Sequence, residues 1–374
     1  MEPYTPQRLP LEGLSYERLI KLVGEANAQL SEYNGLLQGI INPSILLSPL
    51  TNQEAVLSSK IEGTQATMEE VLEHEAGEVY DESKRQDIKE ILNYRTALRK
   101  AEEHVETYGI SLNIILELHK ILMDSVRGKN KTPGEFRKDQ NWIGSYGCTV
   151  EKATFVPPSP LQLNDHLKAW EEYLKYEDFD VLAQSAIVHA QFELIHPFKD
   201  GNGRIGRLLI PLFLFSKKRL IRPMFYLSDY MERNRDEYYA RLKAISSEGD
   251  WTGWIIFYLT AVVEQAKINN TKTRAIMKLY EDTKTRVREV TRSQYSMQLV
   301  DSFFAQPIFV VTQLCARTGI PKASAHSLLK QLENEGVIIT LRAGSGNRSA
   351  MLVFPELLDL AEGREVVRPR RTKK

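Results

Sequence analysis

Cysteine is scarce in this 374-residue chain: there are two, Cys148 and Cys315, far apart. That excludes a framework of several disulfides and favours a reducing compartment. No apolar run comes near the ~20 residues that span a bilayer. The opening Met1–Gln7 lacks the charged-then-apolar order of a secretory signal. A cytoplasmic protein without membrane association is therefore expected. Net charge is missing too, with 49 Lys+Arg against 49 Asp+Glu. The balance hides an asymmetry, since from Thr291 onward 12 basic residues face 7 acidic ones, and residues 1–290 carry the opposite excess. Much of the basic surplus sits in a tail, Arg364, Arg368, Arg370, Arg371, Lys373 and Lys374. Such a tail is either a solvated end or a nucleic-acid contact. The 42% hydrophobic content and the length suit two or three ordinary globular domains.

One stretch concentrates chemistry: His196-Pro197-Phe198-Lys199-Asp200-Gly201-Asn202-Gly203-Arg204-Ile205-Gly206-Arg207. Histidine accepts a proton near neutral pH, aspartate can hold a hard divalent cation, and arginines grip phosphate oxygens bidentately. Glycines let backbone N–H groups approach an anion. The apolar run Leu208–Phe215 follows at once. If it is helical, the stretch lies at a helix N-terminus, where dipole and unpaired N–H groups favour an anion. The residues alone thus point to a nucleotide or phosphate site. Phe198 reads as a packing anchor for the loop.

The rest of the chain has helical periodicity up to about residue 290. Helices are expected over Ser15–Tyr33, from Thr51 and from Thr67, each opened by a capping box, Thr51–Glu54 and Thr67–Glu70. Ser58 and Glu62, four apart, share a face of the Thr51 helix, and Gly63 is a plausible stop. Further helices are expected over Ser83–His104, Leu112–Met123, Leu163–Tyr176, Val181–Ile195 (capped by Asp180), Arg204–Lys217, Met231–Ser247, Trp251–Asn270 and Thr271–Val290. Thr132 to Pro160 is non-helical, and Asn141–Gly144 with Ala153–Val156 reads as a small hairpin. Cys148 falls in its turn beside Tyr146, with no adjacent base to make it a nucleophile. From Val310 to Gly336 two helices separated by a glycine turn precede two strands, Val337–Leu341 and Ala350–Phe354, the pattern of a winged helix.

Two rival readings of the central stretch fail. Gly201–Gly206 satisfies the dinucleotide pattern G-x-G-x-x-G, but the preceding segment has a helical period and no βαβ unit follows. His189 and His196 lie seven apart without nearby cysteines, which does not suit zinc.

Residues 196–207 match in full the signature His-Pro-Phe-x-Asp/Glu-Gly-Asn-Gly-Arg-x-x-Arg, and so resemble Fic-domain proteins. Pro133–Arg137 and Asn141–Gly144 look like the lead into that family's target-binding flap, and Ala153–Pro158 like its exit. Ser58-x-x-x-Glu62-Gly63 resembles the inhibitory motif of the subclass that carries it ahead of the core. The resemblance implies a mainly α fold, an all-helical core with a small β-hairpin flap, followed by the winged helix. It divides the chain into a helical region 1–105 with an inhibitory helix 51–63, a catalytic core 106–290 with its flap at 141–157, a winged helix 291–360 and a basic tail 361–374.

It also implies transfer of AMP from ATP to Ser, Thr or Tyr hydroxyls of target proteins or of the chain itself. His196 would be the general base and Asp200 the Mg²⁺ ligand. Gly201, Asn202 and Gly203 would form the anion cradle, with the Asn202 side chain on the α-phosphate. Arg204 would hold the β-phosphate and Arg207 the γ-phosphate, with Ile205 and Gly206 between them in the ATP-binding stretch. Asn234 would lie near base or ribose by similarity, although its segment equally suits a helix face. Glu62 would pair with Arg207 and misplace the nucleotide. The partners implied are ATP and a target presented to the flap by strand addition; a homodimer stays open. Alternatives are an enzyme that removes AMP, or a DNA-binding regulator whose winged helix offers only Lys322, His326, Lys330, Arg342 and Arg348.

Overall fold

Sixteen helices and three short strands make up the chain in a computed structural model that describes residues 2–365 apart from 126, 128, 145–146 and 347. The tail cations Arg368, Arg370, Arg371, Lys373 and Lys374 lie outside the described residues. In order the helices are α1 (Tyr16–Gln38), α2 (Pro43–Leu46), α3 (Ser48–Ile61), α4 (Met68–Glu75), α5 (Glu82–Tyr108), α6 (Leu112–Leu122), α7 (Leu163–Lys175), α8 (Val181–Ile195), α9 (Asn202–Ser216), α10 (Ser228–Arg233), α11 (Arg235–Glu248) and α12 (Trp251–Thr291). Next come α13 (Ser296–Ala305), β1 (Ile308–Val310), α14 (Val311–Thr318), α15 (Lys322–Asn334), β2 (Ile339–Arg342), β3 (Met351–Val353) and α16 (Pro355–Glu362). The mainly α expectation holds.

The chain gathers into two compact units that interleave in sequence: residues 1–35, 57–64 and 89–268 form one, and 36–56, 65–88 and 269–374 the other. In the first, α8 packs on α7, α9 and α11, and α6 packs on α9. Nearly every α8 side chain is buried, as expected of a helix apolar all round. Asp180 caps it by accepting from the Leu182 and Ala183 amides. At its other end His196 takes the left-handed conformation, φ 49°, which stops α8 and turns the chain toward α9.

In the second unit β1, β3 and β2 form an antiparallel sheet in that order, with Ile308 and Ile339 both opposite Val353. Met68, Leu72 and Ala76 of α4 share its core with Ile308, Leu341, Met351 and Leu358. Both cations of the wing, Arg342 and Arg348, pair with Glu78.

Several expected boundaries shift. Thr51 does not cap a helix: α3 already begins at Ser48, so Thr51 lies inside it. The Thr67 capping box is present in full, Thr67 accepting from the Glu70 amide and Glu70 from the Thr67 amide. The expected pair Trp251–Asn270 and Thr271–Val290 is one helix, because nothing between Asn270 and Thr271 breaks the backbone ladder. Met231–Ser247 is two helices divided at Asn234. Among the described residues the flap hairpin reduces to a single bridge, Ile143 to Phe155. Among the described residues no helix is long and apolar enough to cross a membrane.

Candidate active site

The His196–Arg207 stretch folds as a loop between α8 and α9, pinned by one of its own side chains and by three from elsewhere. Asn202 acts first and locally, accepting from the Phe198 amide at 2.8 Å and donating to the Phe198 carbonyl at 2.9 Å. Asn202 thus staples the loop with both ends of its amide turned onto Phe198, keeping one N–H and one lone pair in reserve. Phe198 is fully buried and stacks on His119 with centroids 3.7 Å apart, the anchor role expected.

His119 was not singled out in the sequence. Its Nδ1 accepts from the Gly134 amide at 2.9 Å, so the proton sits on Nε2, which donates to the Asp200 carbonyl at 3.0 Å. Burial, in the main, pushes its pKa down to about 4, so the neutral ring is a rivet between α6, the loop and the lead into the flap. Arg137 is the second rivet, donating to the carbonyls of His196 at 3.0 Å, Asp139 at 3.3 Å and Pro158. Asn141 is the third, donating to the Phe198 carbonyl at 3.1 Å.

Gly201, φ +81°, caps α9 with a backbone that a side chain would strain, and an added Cβ would meet Met123 Sδ at 3.0 Å. The amides of Asn202, Gly203 and Arg204 open the helix without i−4 partners, the first intrahelical bond being Ile205 to Gly201. Unpaired N–H groups at a helix start suit an anion. Ile205 and Gly206 continue α9 in its core, Ile205 fully buried.

Both arginines are held by carboxylates. Arg204, 6% exposed in its side chain, meets Glu90 at 3.3 Å and Asp200 at 3.6 Å. Arg207, 1% exposed, meets Glu62 at 2.7 Å. Ser58 completes the grip, its hydroxyl accepting from Arg207 Nε at 2.9 Å and its carbonyl from a terminal nitrogen at 2.8 Å. So Ser58 and Glu62, four apart at the end of α3, do converge on the last residue of the stretch. A Cβ on Gly203 would fall 2.9 Å from Arg207 and collide with the Glu62 carboxylate. Glu62 therefore lies over the helix N-terminus itself. Burial would raise its pKa, but Arg207 and then Arg204 hold it below the usual carboxylate value.

His196 closes α8 as its C-cap residue. Its Nδ1 faces the Glu193 carbonyl at 3.3 Å, which suits an Nδ1–H donor and leaves the lone pair on Nε2. Burial, above all, lowers its pKa to about 4, so the ring is neutral at pH 7. A cavity of about 580 Å³ opens beside it, lined by Glu62, Glu193, Gly203, Arg207, Tyr238 and Tyr239 among others, with Ile143, Thr154 and Phe155 of the flap. Asn234 is not in that lining. It joins α10 to α11, its amide donating to the Tyr230 carbonyl, while Arg235 one residue on lines the cavity. Cys148 is a free, half-buried thiol that faces Gly144.

A divalent cation would find one hard ligand here. Asp200 is 45% exposed in its side chain, and its Oδ1 accepts from the Gly201 amide at 2.6 Å. A lone carboxylate beside a phosphate cradle fits Mg²⁺, which takes one or two carboxylates plus substrate oxygens and water. Among the described residues no cluster of three or more ligating side chains exists.

Known proteins resemble this chain in the same places. The model of the Fic/DOC family N-terminal region matches residues 20–103, that of the Fic/DOC family residues 109–214, and that of the IclR helix-turn-helix domain residues 308–339. A probable protein adenylyltransferase of Aquifex aeolicus is 32% identical over 205 residues, 53% of this chain and 55% of its own. Protein adenylyltransferase Fic of Drosophila erecta is 31% identical over 159 residues, 41% of this chain and 28% of its own. The chain thus spans about half or less of the length of these curated relatives. Among solved structures, a Fic family protein from Desulfovibrio desulfuricans shares the fold with a TM-score of 0.59 at 20% identity, over 94% of this chain and 98% of its own. Fic-1 of C. elegans does so with a TM-score of 0.52 at 22% identity, over 70% and 73%. With a complete signature loop folded as an anion cradle, and two family models covering the chain from residue 20 to 214, this protein belongs to the Fic/DOC family.

Proposed function

We propose that the chain transfers AMP from ATP to a hydroxyl of a target protein, or of itself, and that Glu62 restrains the reaction. The observation that carries this reading is the seat of the Glu62 carboxylate, over Gly203 and 2.7 Å from Arg207. An anionic side chain at a helix N-terminus, paired with a buried arginine, occupies the place that a terminal phosphate of ATP would take. The names of the relatives support adenylyl transfer as the chemistry.

In the reaction, Nε2 of His196 takes the hydroxyl proton as the hydroxyl oxygen bonds to the α-phosphorus. The bond from that phosphorus to the oxygen shared with the β-phosphate breaks, and pyrophosphate leaves. A neutral His196 can accept that proton at pH 7 without first losing one. The amides at the start of α9 meet the charge that develops on the α-phosphate. Arg204 and Arg207 hold the β- and γ-phosphates. Asp200 would hold Mg²⁺, which supplies charge neutralisation to the pyrophosphate when bound. Glu90 and Asp200 hold the Arg204 guanidinium in place, so less conformational freedom is lost on binding.

The flap is suited to offer the target a main-chain edge. Ile143 and Phe155 exchange backbone bonds of 2.8 and 3.1 Å, and Ile143 is 42% exposed. An extended segment added there would place its hydroxyl beside His196. Such pairing reads backbone more than side chains.

Intact-mass measurement of the Glu62→Gly protein after incubation with Mg²⁺ and each nucleoside triphosphate tests the reading. A gain of one adenylyl group with ATP, abolished by His196→Ala, is expected. No gain with any nucleotide would refute it. Release of AMP from a modified target, lost on substitution of Glu62, would instead register the reverse reaction.

A further inference from the structure

The mechanism above leaves Glu193 unused, although it lines the same cavity. It lies in the last turn of α8, three residues before His196 and so about 4.5 Å along the helix from it. Its Oε1 is buried without a hydrogen-bond partner. The carboxyl rests on the backbone of α9: a Cβ on Gly206 would clash with Oε1 and meet His189 Cε1 at 3.3 Å. A shape that only glycine permits thus admits this carboxyl to the floor of the site. His189 cannot satisfy it. Nδ1 of that ring faces the Gly206 carbonyl at 2.9 Å and Nε2 the Tyr238 hydroxyl at 3.0 Å. A buried carboxyl oxygen without a partner costs on the order of 1–3 kcal/mol, a cost that a ligand hydrogen bond would remove.

We propose that Glu193 binds the ribose of the nucleotide, through a hydrogen bond to one of its hydroxyls. The proposal rests on the cavity being the nucleotide site. The α-phosphate must lie within reach of His196, and the ribose is its covalent neighbour. The polyphosphate belongs at Arg204, Arg207 and the α9 amides. The cavity is also lined by Tyr239, Leu242 and Arg235, with Arg235 5.9 Å from the centre of the Tyr239 ring, a flat and apolar set that suits a base. Glu193 lines the same cavity, one helical turn from His196.

Its charge state fits that place. Burial pushes the Glu193 carboxyl up to about 8, Arg207 opposing and Glu62 adding to the shift. A neutral carboxyl can both donate to and accept from a sugar hydroxyl, and it does not repel the triphosphate. The other groups facing it do not titrate between pH 7 and 9: Arg207 stays charged, burial raises the Tyr238 and Tyr239 hydroxyls, and burial lowers His189 and His196.

Nucleotide affinity tests this, measured by calorimetry on the full chain with Glu62→Gly and His196→Ala, which open the cradle and prevent turnover. ATP, 2′-deoxyATP and 3′-deoxyATP are the probes. In that parent one of the two deoxynucleotides is expected to bind about 5–10-fold more weakly than ATP, the range for one hydrogen bond. Adding Glu193→Ala should weaken ATP by a similar factor and erase the difference between ATP and that deoxynucleotide. Adding Glu193→Gln should keep ATP binding within about threefold and remove a loss of affinity that the parent shows as pH rises past 8. ATP binding unchanged by Glu193→Ala, or a deoxy penalty that survives it, overturns the assignment while leaving the nucleotide site intact. Failure of all three nucleotides to bind a folded parent overturns both.

Discussion

Replacing Glu62 with glycine should make this protein less stable and more active at once. Arg207 is 1% exposed and keeps only Ser58 as a partner once the carboxylate is gone. Removing one member of a fully buried ion pair costs about 3–5 kcal/mol. Glu62 is one-third exposed, so water reaches the vacated place and the cost falls to roughly 1–2 kcal/mol. Position 62 lies just beyond the end of α3 at Ile61, so the added chain entropy of glycine contributes less than about 1 kcal/mol. For a unit of some 200 residues that corresponds to a fall in melting temperature of about 3–8 °C.

ATP should reverse it, since ligand at 100 times its dissociation constant adds about 2.7 kcal/mol. The activity change has the opposite sign. Misplacement of a reacting group by ~1 Å costs on the order of 10²-fold, so removing the carboxylate that fills the cradle should raise auto-AMPylation at least that much. The assay is label from α-³²P ATP incorporated by parent, Glu62→Gly and Glu62→Gly with His196→Ala, alongside thermal melts with and without ATP. A Glu62→Gly protein that is folded and stabilised by ATP, yet labels no faster than the parent, would refute the restraint. Ser58→Ala should activate by a smaller factor, because Glu62 keeps its bond to Arg207 while the Nε bond is lost.

Three further outcomes follow from the packing around the loop. Glu90→Gln leaves the nearly buried Arg204 with Asp200 as its carboxylate partner among the described residues, and ATP affinity in the Glu62→Gly background should drop about tenfold or more by calorimetry, one lost charged hydrogen bond being worth about 1.5–3 kcal/mol. His119→Phe keeps the stack on Phe198 but loses the bonds to Gly134 and Asp200; kcat should fall about 10–100-fold with KM for ATP changed far less, because the loop is loosened at His196 and not at the arginines. Acid should destabilise the fold. His119 and His189 are buried and have pKa values pushed down to about 4 and 3, below the ordinary 6.5 of the unfolded chain. Their contribution is complete above 6.5 and is lost as pH falls from 6.5 toward 4, at about 1.4 kcal/mol for each histidine by pH 5.5. Melting temperatures measured at pH 7.5, 6.5 and 5.5 should therefore decline, and a flat profile would contradict the neutral burial of both rings.

Much of this protein is local in origin, and that part was legible from its residues. A helix or a cap is decided within four residues, so α8 with its Asp180 cap and the Thr67 capping box could be read directly. The twelve residues from His196 to Arg207 likewise carry their own cradle, since a glycine and three free amides at a helix start need no distant partner. The convergence of Glu62 on Arg207 was foreseen only through a resemblance, because 145 residues separate them. Where no resemblance spoke, the reading was silent or mistaken. Glu90 on Arg204, His119 on Asp200 and Arg137 on His196 join positions 114, 81 and 59 apart, and each looked like an ordinary helix or loop residue. The resemblance puts the Asn202 side chain on the α-phosphate, and only the folded loop shows that Oδ1 and Nδ2 each also bond to Phe198. The unbroken α12 has the same cause in reverse, a boundary inferred from composition that the backbone ladder does not observe. Periodicity and caps are set by neighbours along the chain. Which buried charge meets which carboxylate is set by the packing of helices, and that is decided only when the whole chain has folded.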